Sequence, residues 1–400
     1  MNNLIIAKNY ETFGEEGLTS NKVIYYKEDN MVKFRANITD NPYGESEVVT
    51  VGGSSEVKDF DEQYLTLEAL ESGSITFVPT TGNDNKLSYS KDGRTWTKGN
   101  SVSVSSGEKV MFKGEGFTPV AESSGGIGTF GDNATTSPAT TIRFKAYGNI
   151  MSLIHSDNFI GKQAFVGTHT FCCLFKNTNI TEAHNIILPS LTLADRCYYK
   201  MFMNCAYLVS MPTLVATTIS DHCYSKMFSG CTVLANNIPS ILPVMTLGDN
   251  CYEGMFKDCK ALIVAPKLPA TTLINGCYAS MFSGCSNMEV APELPAATLA
   301  TTCYWRMFDG CSKVNFIKCL ATNISASSSH ASWVSGVAAT GTFIKADNAT
   351  SWTTGVNGIP SGWNAYTESE EMPLYQADSY DMVATFEDDT TLTTKIYVKP

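Results

Sequence analysis

Five segments of the chain share one pattern, Cys-Tyr-x-x-Met-Phe-x-x-Cys, starting at Cys197, Cys223, Cys251, Cys277 and Cys303. Successive copies are offset by 26, 28, 26 and 26 residues. A weaker copy precedes them, with Leu174 and Phe175 at the Met-Phe position. Self-similarity at such a period means stacked units, because one short unit cannot bury its own apolar face. In the fourth copy, Leu273, Cys277, Met281 and Cys285 recur every four residues, with Tyr278 and Phe282 alongside. That stripe predicts a helix of about three turns. The following run, Met288 to Pro295, is short and bounded by proline, which suits a brief strand. The reading over residues 146–325 is therefore an α/β solenoid, right-handed, with helices on one side and short strands on the other.

Aligned copies separate constant columns from variable ones. Cys, Tyr, Met, Phe, Cys and Leu recur and face neighbouring units. On the extended half, one variable column holds Val209, Ala235, Ile263, Glu289 and Asn315. A second holds Thr213, Ser240, Lys267, Glu293 and Cys319. On the predicted helix, Tyr199, Ser225, Glu253, Ala279 and Trp305 also differ. Such variation is what a recognition surface shows, and also what unconstrained solvated positions show. Lys267, Glu289, Glu293 and Trp305 are the candidate ligand-binding residues. Trp305 offers a ring that can stack on a sugar or pack on a neighbour.

Composition narrows the function classes. A net charge of −11 without a Lys/Arg cluster argues against nucleic acid. Apolar residues reach 43%, enough for real cores, yet no run approaches a membrane span. The first residues, MNNLIIAKNYETFGEEG, do not read as a signal peptide. Thirteen cysteines is an odd number, and no CxxC spacing occurs, so neither full pairing nor a common zinc site is expected. The ten ladder cysteines (Cys197, Cys205, Cys223, Cys231, Cys251, Cys259, Cys277, Cys285, Cys303 and Cys311) are expected to be buried free thiols. Eight residues of helix would hold the two within a repeat about 12 Å apart, beyond the roughly 7 Å that a disulfide allows.

The units of the type LPATTLINGCYASMFSGCSNMEVAPELPAATL resemble BspA-type leucine-rich repeats of bacterial surface proteins. The flanks YGNIMSLIHSDNFIG, KCLATNIS, TGTFIKA and SWTTGVNGIPSGW resemble caps of repeat proteins encoded by phages and prophages of gut bacteria. The N-terminal NKVIYYKEDN and the stretch ending LSYSKDGRTWTKG resemble modules of the same proteins. The resemblance implies an adhesive or virion-surface role and names no ligand.

The remaining chain reads as modules. Residues 1–60 form a small β anchoring domain, with strands at Leu4–Ala7, Val23–Tyr26, Val32–Ala36 and Glu47–Val51. Residues 61–120 form a sandwich-like β module in which Asp92-Gly93 makes a hairpin turn. The Gly/Ser/Thr-rich stretch 121–145 is a linker, and residues 326–367, holding Trp333, Trp352 and Trp363, are a C-terminal cap. Residues 368–400 are a hairpin tail turning at Asp388-Asp389.

No nucleophile-elbow, zinc-protease, phosphate-loop or dinucleotide motif occurs. The five histidines sit in unrelated contexts, and His222 reads as a surface residue. Glu289 and Glu293 could mimic a glycosidase pair but lie in no pocket motif. The acidic stretches Asp378–Asp381 and Glu387–Asp389 lack the calcium-loop pattern. The expectation is a non-enzymatic phage virion protein without metal or cofactor: a fibre, spike or decoration protein. It would hold other virion proteins through its N-terminal domains and a host-surface glycan or protein through its repeats, with a homo-oligomer left open. The alternative location and role is a BspA-type adhesin on a bacterial surface; a capsule depolymerase ranks third.

Overall fold

The computed structural model describes residues 5–6, 22–28, 31–37, 49–53, 60–120, 126–131, 139–244, 246–370, 379–385 and 391–397. The sequence-predicted turn at Asp388-Asp389 and the acidic stretch Glu387–Asp389 fall outside the described residues, as do most of residues 121–138. The chain divides into two units, Met1–Asp59 and Phe60–Pro400. The first holds a four-stranded sheet in sequence order. Ile5–Ile6 runs parallel to Lys22–Glu28, which pairs antiparallel with Met31–Asn37, itself antiparallel to Val49–Gly53.

The second unit opens with a six-stranded sheet. Its order is Ile180–Ile187, Phe144–Asn149, Leu65–Ala69, Lys109–Gly114, Leu87–Ser90 and Thr97–Lys98. Alternation sets its faces: Val110, Phe112 and Gly114 are buried while Lys109, Met111 and Lys113 turn outward. The Asp92 carboxylate accepts the amides of Arg94 and Thr95 at 2.8 and 2.7 Å, fixing the bend between Leu87–Ser90 and Thr97–Lys98. Phe144–Asn149 runs parallel to Ile180–Ile187, the first extended segment of the repeat region. The β module and the repeats therefore share one sheet.

The expected α/β solenoid is not what the chain forms. Among the described residues the one α-helix is the four-residue Ser152–His155. The Cys-Tyr-x-x-Met-Phe-x-x-Cys segments are not helical, and their extended halves build no continuous sheet. Among the described residues, the extended halves of successive copies meet through the two-residue strands Thr192–Leu193 and Thr218–Ile219 and through isolated bridges such as Val264↔Val290.

What replaces the helix is a ribbon of linked turns. In the fourth copy, the amides of Ala279, Met281, Ser283 and Cys285 each reach back three residues, to the carbonyls of Gly276, Tyr278, Ser280 and Phe282. The intervening amides point away from their own turn. Tyr278, Ser280, Phe282 and Gly284 donate to Cys303, Trp305, Met307 and Asp309 of the next copy at 3.1, 2.6, 3.1 and 2.7 Å. The reversal is made by a left-handed residue at every fourth position: Gly276 (φ 59), Ser280 (φ 53) and Gly284 (φ 77). Equivalent residues in the other copies do the same, among them Arg196, Lys200 and Asn204, and Thr302, Arg306 and Gly310. A left-handed non-glycine residue costs roughly 1–2 kcal/mol. Each turn segment also buries a Tyr, a Met and a Phe, each worth roughly 1.5–3 kcal/mol when fully buried. That burial exists only between neighbours, so the rung is stable as a member of a stack.

The buried side chains form columns. Tyr198, Tyr224, Tyr252, Tyr278 and Tyr304 stack with centroids 6.0, 5.6, 5.8 and 6.4 Å apart. Phe202, Phe228, Phe256, Phe282 and Phe308 stack beside them at 5.5, 5.9, 6.0 and 6.0 Å. Both columns end on the fully buried Trp333, 6.2 Å from Tyr304 and 6.0 Å from Phe308. Trp352 stacks on Trp333 at 5.4 Å, and the indole nitrogens of Trp333, Trp352 and Trp363 donate to the carbonyls of Gly358, Ala321 and Ala338. The last extended segments pair as a parallel three-stranded sheet, Phe316–Cys319, Thr342–Lys345 and Asn364–Thr367.

The N-terminal end of the stack is closed by part of the stretch expected to be a linker. Ile127 and Phe130 are fully buried, and their amides donate to the Thr170 and Leu174 carbonyls of the first turn segment. Phe130 stacks on Phe175 at 5.6 Å and so begins the phenylalanine column. A Cβ at Gly131 would collide with the Lys176 carbonyl, so only glycine lets this backbone seat itself. Farther along, Ser379–Thr385 and Thr391–Tyr397 pair antiparallel.

Candidate binding face

The extended half of each rung turns one row of side chains outward. Ile263 and Val264 are 55% and 48% exposed, and Val290 and Phe316 are both 38% exposed. Backbone pairing fixes their neighbourhood: Val264 and Val290 are bridged in parallel, and the Glu289 amide donates to Ile263 O at 2.8 Å. Val264 and Val290 are thus neighbours on adjacent rungs, and Phe316 is the aligned, likewise exposed residue of the next rung. Exposed apolar groups scattered singly are ordinary, whereas a contiguous strip with a polar rim marks a contact surface.

Charged side chains border the strip. Glu289 pairs with Lys313 at 3.7 Å, and Glu293 pairs with Lys318 at 2.7 Å. Lys318 also reaches Glu368 at 3.1 Å. The Glu293 carboxylate holds the Lys318 ammonium above the usual lysine range. Lys267 is exposed on the same column as Glu293, with its backbone held by Ser240 O and Leu242 N. Exposed pairs of this kind contribute about 0–1 kcal/mol to stability, so their value is in charge display.

Three of the four sequence-predicted site residues, Lys267, Glu289 and Glu293, lie on this extended side. Trp305 does not join them. It sits in the turn segment, 38% exposed, with the Arg306 guanidinium 5.1 Å over its ring. The same arrangement occurs at Tyr199, whose ring carries Lys200 Nζ at 4.6 Å. Lys313, Lys318, Glu368, Val264, Val290 and Phe316 were not singled out from sequence. Val264, Val290 and Phe316 follow directly after the first variable column, so that neighbouring column was the available signal. The ten ladder cysteines lie inside the stack; all thirteen cysteines are buried and unpaired.

His222, read as a surface residue, is half-buried with its ring edge-on to Tyr199, and burial leads the lowering of its pKa. Glu289 and Glu293 are each engaged by a lysine on an open surface, not facing each other across a cleft. Among the described residues no group of three or more His, Cys, Asp or Glu side chains is placed to hold a metal ion. No described helix is long and apolar enough to cross a membrane. Comparison with known proteins adds no relative: no family model, no curated protein and no solved structure matches the chain.

Proposed function

We propose that the chain is a non-enzymatic attachment protein, a fibre, spike or decoration component at a phage virion surface. In this reading its N-terminal domains hold other virion proteins and its repeat stack contacts a host-surface glycan or protein. The observation that carries the reading is the strip of Ile263, Val264, Val290 and Phe316, rimmed by Lys267, Glu289, Glu293 and Lys318. The interior of the rungs is nearly constant while this outer row changes from rung to rung, which is how a scaffold carries specificity. The sequence resemblance to phage- and prophage-encoded repeat proteins points the same way.

The test is binding of the purified chain to intact cells of the host. Val290→Asp with Phe316→Asp places two charges on the strip without touching a buried residue. Binding is expected to fall at least about tenfold, the equivalent of about 1.4 kcal/mol. A double variant that folds and binds as the parent does removes this face from the proposal.

A further inference from the structure

The turn segments align their peptide groups along the stack. In every rung the outward amides point toward the next rung and the matching carbonyls point back toward the previous one. Each peptide carries a dipole of about 3.5 D, and aligned dipoles add, leaving positive character where the donors end. Those donors end at the last turn segment, residues 326–336. Its Ser328, Ser332 and Gly336 have the left-handed φ values of 50°, 55° and 73° that the earlier turns have.

At the first turn, the amides of Ile127 and Phe130 donate to the backward-facing carbonyls of Thr170 and Leu174, and the Thr129 hydroxyl donates to Cys173 O. At the last turn the cover is partial. The Ser332 amide donates to Asn357 Oδ1 at 2.6 Å and the Val334 amide to Val356 O at 3.4 Å. The outward amides of Ser328 and His330 meet no acceptor among the described residues. An open cavity of about 180 Å³ lies where their next-rung acceptors would be. Ala326, Ser328, Ser329, His330, Ala331 and Asn357 line it. No lining residue is acidic, and the lining supplies two serine hydroxyls, a carboxamide and an imidazole.

We infer that this cavity is a binding site for a small carboxylate, held by the Ser328 and His330 amides at the positive end of the peptide columns. Successive amides presented by alternating right- and left-handed residues form an anion-binding concavity, the geometry of this turn. A carboxylate oxygen there would replace the missing carbonyl of a further rung, and the hydroxyl of Ser328 and the Asn357 carboxamide can complete its hydrogen bonds. The volume suits a carboxylate headgroup and is below that of drug-sized pockets, about 300 Å³ and up. The imidazole contributes as a neutral donor or acceptor, because burial lowers its pKa. The site is separate from the exposed strip and stands or falls independently of the attachment reading.

The test is an amide-resolved NMR titration of the full chain with sodium acetate, and in parallel with sodium glucuronate, at constant ionic strength set with chloride. Saturable shifts centred on the Ser328 and His330 amides are expected. Asn357→Asp keeps an acceptor for the Ser332 amide but adds a negative charge to the wall, and is expected to weaken binding at least about tenfold. Ala331→Asp serves the same purpose without touching Asn357. Absence of saturable shifts at these two amides in the parent chain overturns the assignment. So does unchanged affinity in either variant with the parent's remaining spectrum. Saturation by glucuronate and not by acetate would mean that sugar contacts, not the carboxylate, drive binding, and would also overturn it.

Discussion

A thiol is a weak donor, yet the second cysteine of every copy uses it in the same way. Cys205, Cys231, Cys259, Cys285 and Cys311 donate through Sγ to the carbonyls of Phe175, Phe202, Phe228, Phe256 and Phe282 at 3.0–3.2 Å. Each of these links joins one rung to the preceding one. Cysteine here is small, apolar and able to satisfy a second lone pair on a buried carbonyl. Its burial has a consequence for pH. Desolvation leads the rise of the Cys205, Cys223, Cys303, Cys311 and Cys319 thiols to about 12. An exposed thiol in the unfolded chain titrates near 8.5. The folded pKa is therefore the higher one, so the stability is complete below about pH 8.5 and is lost as pH rises toward 12. In that window each such thiol removes about 1.4 kcal/mol per pH unit. The chain is expected to unfold cooperatively in alkali between about pH 9 and 12, followed by tyrosine fluorescence under reducing conditions. A folded state that persists unchanged through pH 12 would contradict the burial of these thiols. Free thiols were legible from sequence, but the distance argument offered for them presumed a helix. The operative fact is the column packing.

At the scale of the element, the turn ribbon explains both what the sequence disclosed and what it concealed. An α-helix advances 3.6 residues per turn, so a side chain four residues on overshoots by about 40°. The apolar stripe at Leu273, Cys277, Met281 and Cys285 never corrects for that drift, because its period is four and belongs to the ribbon. A second clue stood in the column of Asn204, Gly230, Asp258, Gly284, Gly310 and Gly336, all left-handed and all Asn, Asp or Gly. Residues that tolerate positive φ at one aligned position mark turns, not a helix interior. The left-handed Lys200, Lys226 and Arg306 gave no such hint, since their conformation is imposed by the stack. Two glycines of the informative column separate conformation from contact. Both have φ 77°, but a Cβ at Gly284 would collide with Asp258 Oδ1, whereas one at Gly310 would meet only the Gly284 backbone at 3.6 Å. Gly310→Ala is expected to lose the conformational part, about 1 kcal/mol. Gly284→Ala is expected to lose roughly 1–2 kcal/mol more. Urea denaturation of the two variants measures the difference, and equal losses would refute the proposed Asp258 contact.

For the whole molecule, sequence alignment established which residues are equivalent but not which way each column faces. That is why Glu289 and Glu293, read on the extended half, and Trp305, read on the predicted helix, stand together as candidate binding residues although they occupy different parts of the rung. The lysines that engage the two glutamates, Lys313 and Lys318, come from the following copy, and cross-rung partners are invisible until the stacking offset is known. The offset carries a further consequence. Because each rung bonds only its neighbours, the stack behaves nearly one-dimensionally, and a rung is a removable unit. Deleting residues 277–302, one 26-residue step, joins Gly276 to Cys303. Tyr252 then faces Tyr304, Phe256 faces Phe308, and the Cys311 thiol inherits the Phe256 carbonyl that Cys285 now uses. Asp258 again meets a glycine, Gly310 in place of Gly284, so even the tightest contact of that column is regenerated. Both caps, the 126–131 segment and Trp333, remain in place. The shortened chain is expected to unfold in one cooperative thermal transition at a lower midpoint than the parent, with its cysteines still protected from alkylation. Deleting residues 277–289 instead removes the turn segment while keeping most of the extended one, so no aromatic column can close. That chain is expected to expose its thiols and lose the transition. If both deletions behaved alike, the rungs would not be interchangeable, and the stability of the stack would have to reside in contacts between particular copies and not in their shared geometry.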